Sequence, residues 1–427
     1  MLFPYLLKQM IHQGTLRLIT ADGKNYIFGA GTPCVTVKLH RKILEWSLAL
    51  WPELKISEAY MNGLLTLEEG SLRDFLYILF VNYRDAEKQP LFQWLKRLSG
   101  RAAQLRQFNP LGRARKNAAY HYDLPDRLYD FFLDSDRQYS CAYFTDAHNS
   151  LEQAQFDKKR HIASKLLLNK RGLKILDIGS GWGGMGLYLA RECNCNVTGV
   201  TLSVKQYRIS RDRARDAGLD KYCRFELRDY RQESGPYDRI VSIGMFEHVG
   251  KKNYDEFFSR LYQLLAEDGV AVIHTIGRFN EPEQTNAFLR KHIFPGGDLP
   301  ALSEIMESVQ RSGLFTTDIE ILRLHYAETL KRWSDSVEAH RHEIIALYDE
   351  RFYRKWQMYL IGCEMSFRYQ HLMVAQIQLS KRLATLPLTR DYMHAWEHAH
   401  QAPAAEARRH KVFRMDALHS NNEFHRQ

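Results

Sequence analysis

Two groups of residues in this 427-residue chain have the types and spacing to do chemistry. One is Asp177-Ile-Gly179-Ser-Gly181-Trp-Gly183-Gly184, directly after the apolar run Lys174-Ile-Leu-Asp-Ile178. Glycines after a strand permit positive φ and let a ligand approach the backbone closely, while the Asp177 carboxylate can orient the loop or receive an ammonium group. The other is Glu247-His248, following Arg239-Ile-Val-Ser-Ile243, together with His274 at the end of Gly269-Val-Ala-Val-Ile-His274. Ligands of open α/β folds bind at the carboxyl ends of strands, where these residues stand. An acid after Ser-Ile-Gly-Met-Phe is costly to bury without a role, whereas a strand-end histidine is as readily satisfied by local hydrogen bonds.

The glycine loop narrows the ligand by elimination. A dinucleotide site needs an acid about 20 residues on, at the end of the second strand, to hold the ribose. That position reads Gly199-Val-Thr-Leu-Ser203, with no acid before Asp212, which lies inside the next helical stretch. A P-loop is excluded because no Gly-Lys-Ser/Thr follows the glycines. A smaller nucleoside ligand with an amino-acid end remains, which points to S-adenosylmethionine.

The elements that must position these groups are legible from periodicity. Strands are expected at Lys174–Ile178, Asn196–Thr201, Cys223–Leu227, Arg239–Ile243 and Gly269–His274, with helices such as Val204–Ala217 and Tyr254–Leu265 between them. This alternation predicts an α/β fold with a doubly wound parallel sheet. Helical periodicity dominates Leu302–Arg382, apart from a strand at Thr317–Leu324. Upstream, a short helix is expected at Met1–Lys8 and a β-hairpin over Gly14–His40 around Asp22-Gly23. Helix follows to about Trp94, with Ile43, Leu44, Leu48 and Trp51 on one face, giving a small α+β domain over residues 1–95.

Residues 96–118 carry seven basic and no acidic side chains between Lys96 and Lys116, interleaved with leucines and Phe108. This composition suits a flexible linker or a segment lying on an anionic bilayer. A catalytic domain is expected over 119–395 and a disordered tail over 396–427, His394 and His398 being solvated.

Asp177–Gly184, Gly199-Val-Thr-Leu-Ser-Val-Lys-Gln206, Arg239–Gly250 and Tyr139-Ser-Cys-Ala-Tyr-Phe144, in this order of roles, resemble the cyclopropane-fatty-acyl-phospholipid synthase family over about residues 120–390. The resemblance implies a class I (Rossmann-like) methyltransferase domain and S-adenosylmethionine as methyl donor. Tyr139 and Ser140 would contact the cofactor, with Gly179 and Gly181 at its methionine part. Thr201 and Gln206 would hold the ribose, and Asp229 and Tyr230 would flank the adenine. Ser180 stands where the family usually has Cys.

The resemblance also implies the reaction. Methyl transfer to a cis double bond leaves a carbocation, and ring closure needs a proton removed from the new methyl group in a dry pocket. In the family the base resembles a bound bicarbonate. The positions that match its site are Cys141, Glu247, His274, Ile276 and Tyr326, with Cys141 and Ile276 contributing backbone groups. Cys363 matches a cysteine treated as an active-site residue, although the mechanism needs no thiolate and a helical Cys is commonly inert packing. Tyr143 and Phe246 could face the cation or simply pack.

Composition sets outer bounds. Sixty Lys and Arg against 50 Asp and Glu give a net charge of +10, a surface drawn to phosphates. Six scattered cysteines form no disulfide framework, and Cys193-x-Cys195 has no second pair for a metal, so none is expected and the chain reads as cytoplasmic. No apolar run reaches the roughly 18–20 residues that span a bilayer. The expected partner is unsaturated phospholipid on the inner face of the cell membrane, bound peripherally. A homodimer is implied by the resemblance alone, and no nucleic acid is expected. Two rivals stay open: a fatty-acyl methyltransferase giving a methyl-branched or methylene product, and a non-catalytic membrane- or nucleic-acid-binding module.

Overall fold

The computed structural model describes residues 2–86, 126–283 and 285–401. Helix α1 (Leu2–Met10) precedes β1 (Gln13–Ile19) and β2 (Asn25–Leu39), the expected hairpin, with Leu16 opposite Phe28 and Leu18 opposite Tyr26. Gly23 takes φ +82°, and Thr20 Oγ1 donates to Asp22 Oδ1 at 2.6 Å, so the turn is closed by its own side chains. Helices α2 (Ile43–Leu50) and α3 (Pro52–Met61), strand β3 (Leu65–Glu69) and α4 (Leu72–Ala86) complete this unit. Strand β3 was not expected: its five residues pair with β2, Leu65 opposite Leu39, and are too short to show a period. Leu44 and Leu48 are buried, whereas Ile43 and Trp51 are exposed, which corrects the expected helix face.

After α5 (Asp126–Asp130) and α6 (Leu151–Lys165) come β4 (Lys174–Ile178), α7 (Gly184–Glu192), β5 (Asn196–Thr201), α8 (Val204–Asp216), β6 (Cys223–Leu227), β7 (Tyr237–Ile243), α9 (Tyr254–Leu264) and β8 (Leu265–Arg278). Strands β4 to β8 are mutually parallel where they pair. They read as continuous apolar runs because both faces are covered, Val270 to Ile273 being fully buried. The chain continues through α10 (Ala287–His292), α11 (Leu302–Ser312), β9 (Phe315–Ile321), α12 (His325–Ala339), α13 (Arg341–Leu347), α14 (Glu350–Tyr369), β10 (Leu372–Ser380) and α15 (Asp391–Ala399).

The seven-stranded sheet has the order β6-β5-β4-β7-β8-β10-β9, and β10 runs antiparallel to both its neighbours. The fold is thus α/β and doubly wound as expected, but its sheet is mixed, and Leu372–Ser380 is strand where helix was expected. Helix α15 extends order past residue 396: Trp396 packs on the core and Glu397 bonds His161 of α6, so the tail does not begin where expected. The expected basic stretch 96–118 and the end of the tail lie outside the described residues. Among the described residues no helix is long and apolar enough to cross a membrane.

Candidate active site

The carboxyl ends of β4, β5 and β7 open onto a cleft. Gly179 (φ +80°) and Gly181 (φ +56°) make the turn from β4, and the N–H groups of Gly179 and Ser180 donate to Val200 O at 2.9 and 3.0 Å. A Cβ on Gly179 would stand 2.8 Å from Met245, so only glycine lets the loop pass. On β5, Thr201 Oγ1 donates to Gln206 Oε1 at 2.9 Å, while Ser203 caps α8 by accepting from Gln206 N. The bond commits the amide oxygen of Gln206 and leaves its NH₂ as donor. Asp229 is held as a bidentate pair by Arg231, both bonds at 2.9 Å, and Tyr230 packs edge-on against Phe257.

Over the cleft lies the Tyr139-Ser140 strip, and its anchoring was not visible in sequence. Lys158 of α6, fully buried, donates to Gln138 Oε1 at 2.6 Å and Ser140 Oγ at 2.8 Å. Burial lowers its pKa to about 8. Within Asp157-Lys-Lys-Arg-His161 such a lysine reads as part of a solvated basic face, so no local pattern could have found it. The Tyr139 and Tyr359 hydroxyls meet at 2.9 Å.

All nine positions proposed for the cofactor line this cleft: Tyr139, Ser140, Asp177, Gly179, Gly181, Thr201, Gln206, Asp229 and Tyr230. Its walls also carry three buried polar atoms with no protein partner, Asp177 Oδ2, Ser180 Oγ and Trp182 Nε1. Burial pushes Asp177 up to about 7, against the pull of the Lys158 cation. Unpaired buried polar atoms are costly unless a ligand supplies partners, and a nucleoside with an amino-acid end, as in S-adenosylmethionine, fits that need.

None of the six positions proposed for the reaction lines the cleft. Glu247 sits in a helical turn after β7, beside the cleft-lining His248. Its Oε1 accepts from Ile276 N at 2.6 Å and its Oε2 is buried without a partner. Burial pushes the carboxyl up to about 7. His274, two residues before Ile276 on β8, is buried, and its Nδ1 lies 3.2 Å from Gln376 Nε2. Burial, aided by Lys158 and Lys165, keeps the imidazole neutral by holding its pKa well below the usual value.

Cys141 directly follows the strip; its thiol donates to Ala142 O at 3.3 Å and burial pushes its pKa up. Tyr326 opens α12 with its ring against Phe367 and Trp333. Cys363 lies on α14, its thiol pushed up to about 12 by burial. Tyr359 is in electrostatic reach of Tyr139, Tyr326 and Cys363. The structure therefore joins Glu247 and Ile276 directly, while Cys141, Tyr326 and Cys363 are held in other contacts.

For the two aromatic groups the contacts agree with the packing alternative. Tyr143 is stacked between His161 (3.9 Å) and His325 (4.7 Å), and Phe246 is fully buried against Tyr254, Phe257 and Phe258.

Comparison with known proteins agrees with this geometry. The family described as mycolic acid cyclopropane synthetase matches residues 110–377. A probable fatty acid methyltransferase of Pseudomonas putida is 40% identical over 287 residues, 65% of this chain and 73% of its own. The cyclopropane-fatty-acyl-phospholipid synthase of Escherichia coli K12 is 40% identical over 261 residues, 61% of this chain and 66% of its own. The crystal structure of mycolic acid cyclopropane synthase CmaA1 complexed with SAH and CTAB superposes with a TM-score of 0.60 at 34% identity, covering 64% of this chain and 99% of that one.

Proposed function

This chain belongs to the mycolic acid cyclopropane synthetase family of S-adenosylmethionine-dependent methyltransferases, and within that family we propose that it forms cyclopropane rings on unsaturated phospholipid acyl chains. The observation that carries this reading is the buried Glu247 carboxyl, with one oxygen fixed by Ile276 N and the other unpaired. Bound S-adenosylmethionine supplies an electrophilic methyl group, and bound bicarbonate supplies a base. Transfer of the methyl to one alkene carbon, with the sulfonium leaving as a thioether, leaves a cation on the other. Loss of a proton from the new methyl group then lets its C–H electron pair close the ring.

Each step needs something from the protein. The glycine loop, Asp177 and the Thr201–Gln206 pair hold the nucleoside end. Glu247 keeps an oxygen to accept a hydrogen bond from a proton-bearing oxyanion, and at about pH 7 it is poised to gain or lose a proton. His274, Tyr326 and the backbone at Cys141 and Ile276 complete the proposed bicarbonate site. The burial of His274, Tyr326 and Cys141 keeps water from the cation.

Helix α2 supports the lipid substrate and peripheral docking on an anionic cytoplasmic membrane face. Ile43, Trp46 and Leu50 recur at i, i+3 and i+7 and are all exposed, beside exposed Arg41 and Lys42. An apolar stripe with an aromatic ring and basic flanks suits the headgroup boundary.

The name of the Pseudomonas putida relative favours a second reading, methylation without ring closure. Incubation with monounsaturated phospholipid vesicles, S-adenosylmethionine and bicarbonate, followed by mass analysis of the released acids, separates the two. A gain of one CH₂ with no hydrogenatable double bond, lost in Glu247→Gln, is expected. A CH₂ gain that keeps the double bond would establish the second reading.

A further inference from the structure

Three neighbouring strands place one residue each in a single cross-strand row behind the cleft. His274 on β8 stands opposite Gln376 on β10, which stands opposite Glu320 on β9. Helix α6 lays Lys165 against this row: its Nζ donates to Gln376 Oε1 at 2.6 Å and pairs with Glu320. Gln376 is fully buried, and its Nε2 lies 3.2 Å from His274 Nδ1.

The donor and acceptor roles in this row are forced from one end. An ammonium ion only donates, so the oxygen of the Gln376 amide faces Lys165 and its NH₂ faces His274. An NH₂ group only donates, so Nδ1 of His274 is the bare, accepting nitrogen and the ring proton lies on Nε2. We propose that Lys165 and Gln376 are positioning residues that lock His274 as its Nε2–H tautomer, so that it serves the reaction site as a hydrogen-bond donor to an anion. The burial that keeps the imidazole neutral makes this distinction matter, since an imidazolium would donate from both nitrogens. Burial lowers the pKa of Lys165, and Glu320 secures the far end by opposing that fall, since a carboxylate beside Lys165 favours the ammonium form.

The role given to His274 rests on the function proposed above; the lock itself does not, and ¹⁵N NMR of the full-length protein labelled in histidine reads it without turnover. The His274 signals, identified by their loss in His274→Gln, are expected to show a protonated Nε2 and a bare Nδ1. Gln376→Glu replaces the donor facing Nδ1 by an acceptor and is expected to move the proton to Nδ1. Lys165→Met frees the amide to turn and is expected to give a mixture of tautomers.

Ring formation in Gln376→Glu should fall by roughly tenfold or more in kcat with KM for S-adenosylmethionine unchanged, the size usual for an outer partner of a reacting group. Gln376→Asn, which keeps the amide, should recover part of it. A wild-type ring protonated on Nδ1, or a tautomer unmoved in both variants, overturns the lock. If neither variant folds, the wild-type spectrum alone decides. A tautomer that moves with no loss of turnover would uphold the lock and remove His274 from the reaction.

Discussion

The backbone N–H of Ile276 reaches across from β8 to hold Glu247 Oε1 at 2.6 Å, so one strand end fixes a carboxyl that arrives from another. The bond stabilises the charged form, yet burial outweighs it and the carboxyl ionises only near pH 7.

That balance predicts a pH-dependent stability. The folded value of Glu247, about 7, lies above the unfolded value of 4.5, so its favourable contribution is complete below pH 4.5 and is lost as pH rises through 7. Glu247→Gln cannot ionise and escapes this loss. In urea unfolding of the ligand-free protein, the variant should gain on wild type by up to about 3 kcal/mol between pH 4.5 and pH 8, at roughly 1.4 kcal/mol per unit. A difference that stays flat with pH would show the carboxyl to be better solvated than its burial implies.

The two loop glycines should separate. Gly179→Ala meets both a positive φ and a Cβ 2.8 Å from Met245, whereas Gly181→Ala meets only the φ, with open space around it. Left-handed backbone costs an alanine roughly 1–2 kcal/mol. Calorimetric titration with S-adenosylmethionine should therefore show a larger affinity loss for Gly179→Ala than for Gly181→Ala, and equal losses would mean that Met245 yields freely.

Cys363 should be dispensable. With its thiol pushed up to about 12, almost none is thiolate at neutral pH. Cys363→Ala is expected to retain ring formation within about threefold, the thiol being replaceable packing. A loss of product beyond tenfold at unchanged stability would restore a role in the reaction.

Helix α2 offers a change remote from the chemistry. Trp46 is 65% exposed, so Trp46→Glu leaves the core intact. Vesicle co-sedimentation on anionic lipid should weaken about tenfold or more, in line with the 1.5–3 kcal/mol of burying a large apolar side chain. S-adenosylmethionine affinity should not change. Unaltered sedimentation would move the bilayer contact elsewhere on the surface.

How much of this was legible in the sequence follows from the range of each signal. Strands β4, β5 and β6 stand at the expected residues because each is a short apolar run between helical periods. Strand β10 was missed because Leu372-Met-Val-Ala-Gln directly follows a 20-residue helix and is itself rich in helix formers. The cofactor positions lie in contiguous motifs and reach one cleft. The partners of the reaction residues do not: Ile276 supplies a backbone group, and Gln376 meets His274 from 102 residues away through the order of strands in the sheet. Lys158 reads as surface in its basic run and is fully buried, because Gln138 and Ser140 supply its acceptors.

Tyr139 and Ser140 face the nucleoside cleft, while the next residue, Cys141, does not. The strip is stitched from beneath by Lys158 and, one residue past Cys141, by the bond from Ala142 N to Thr329 Oγ1. Cys141 is therefore pinned from both sides, by the Ser140 side chain before it and the Ala142 amide after it.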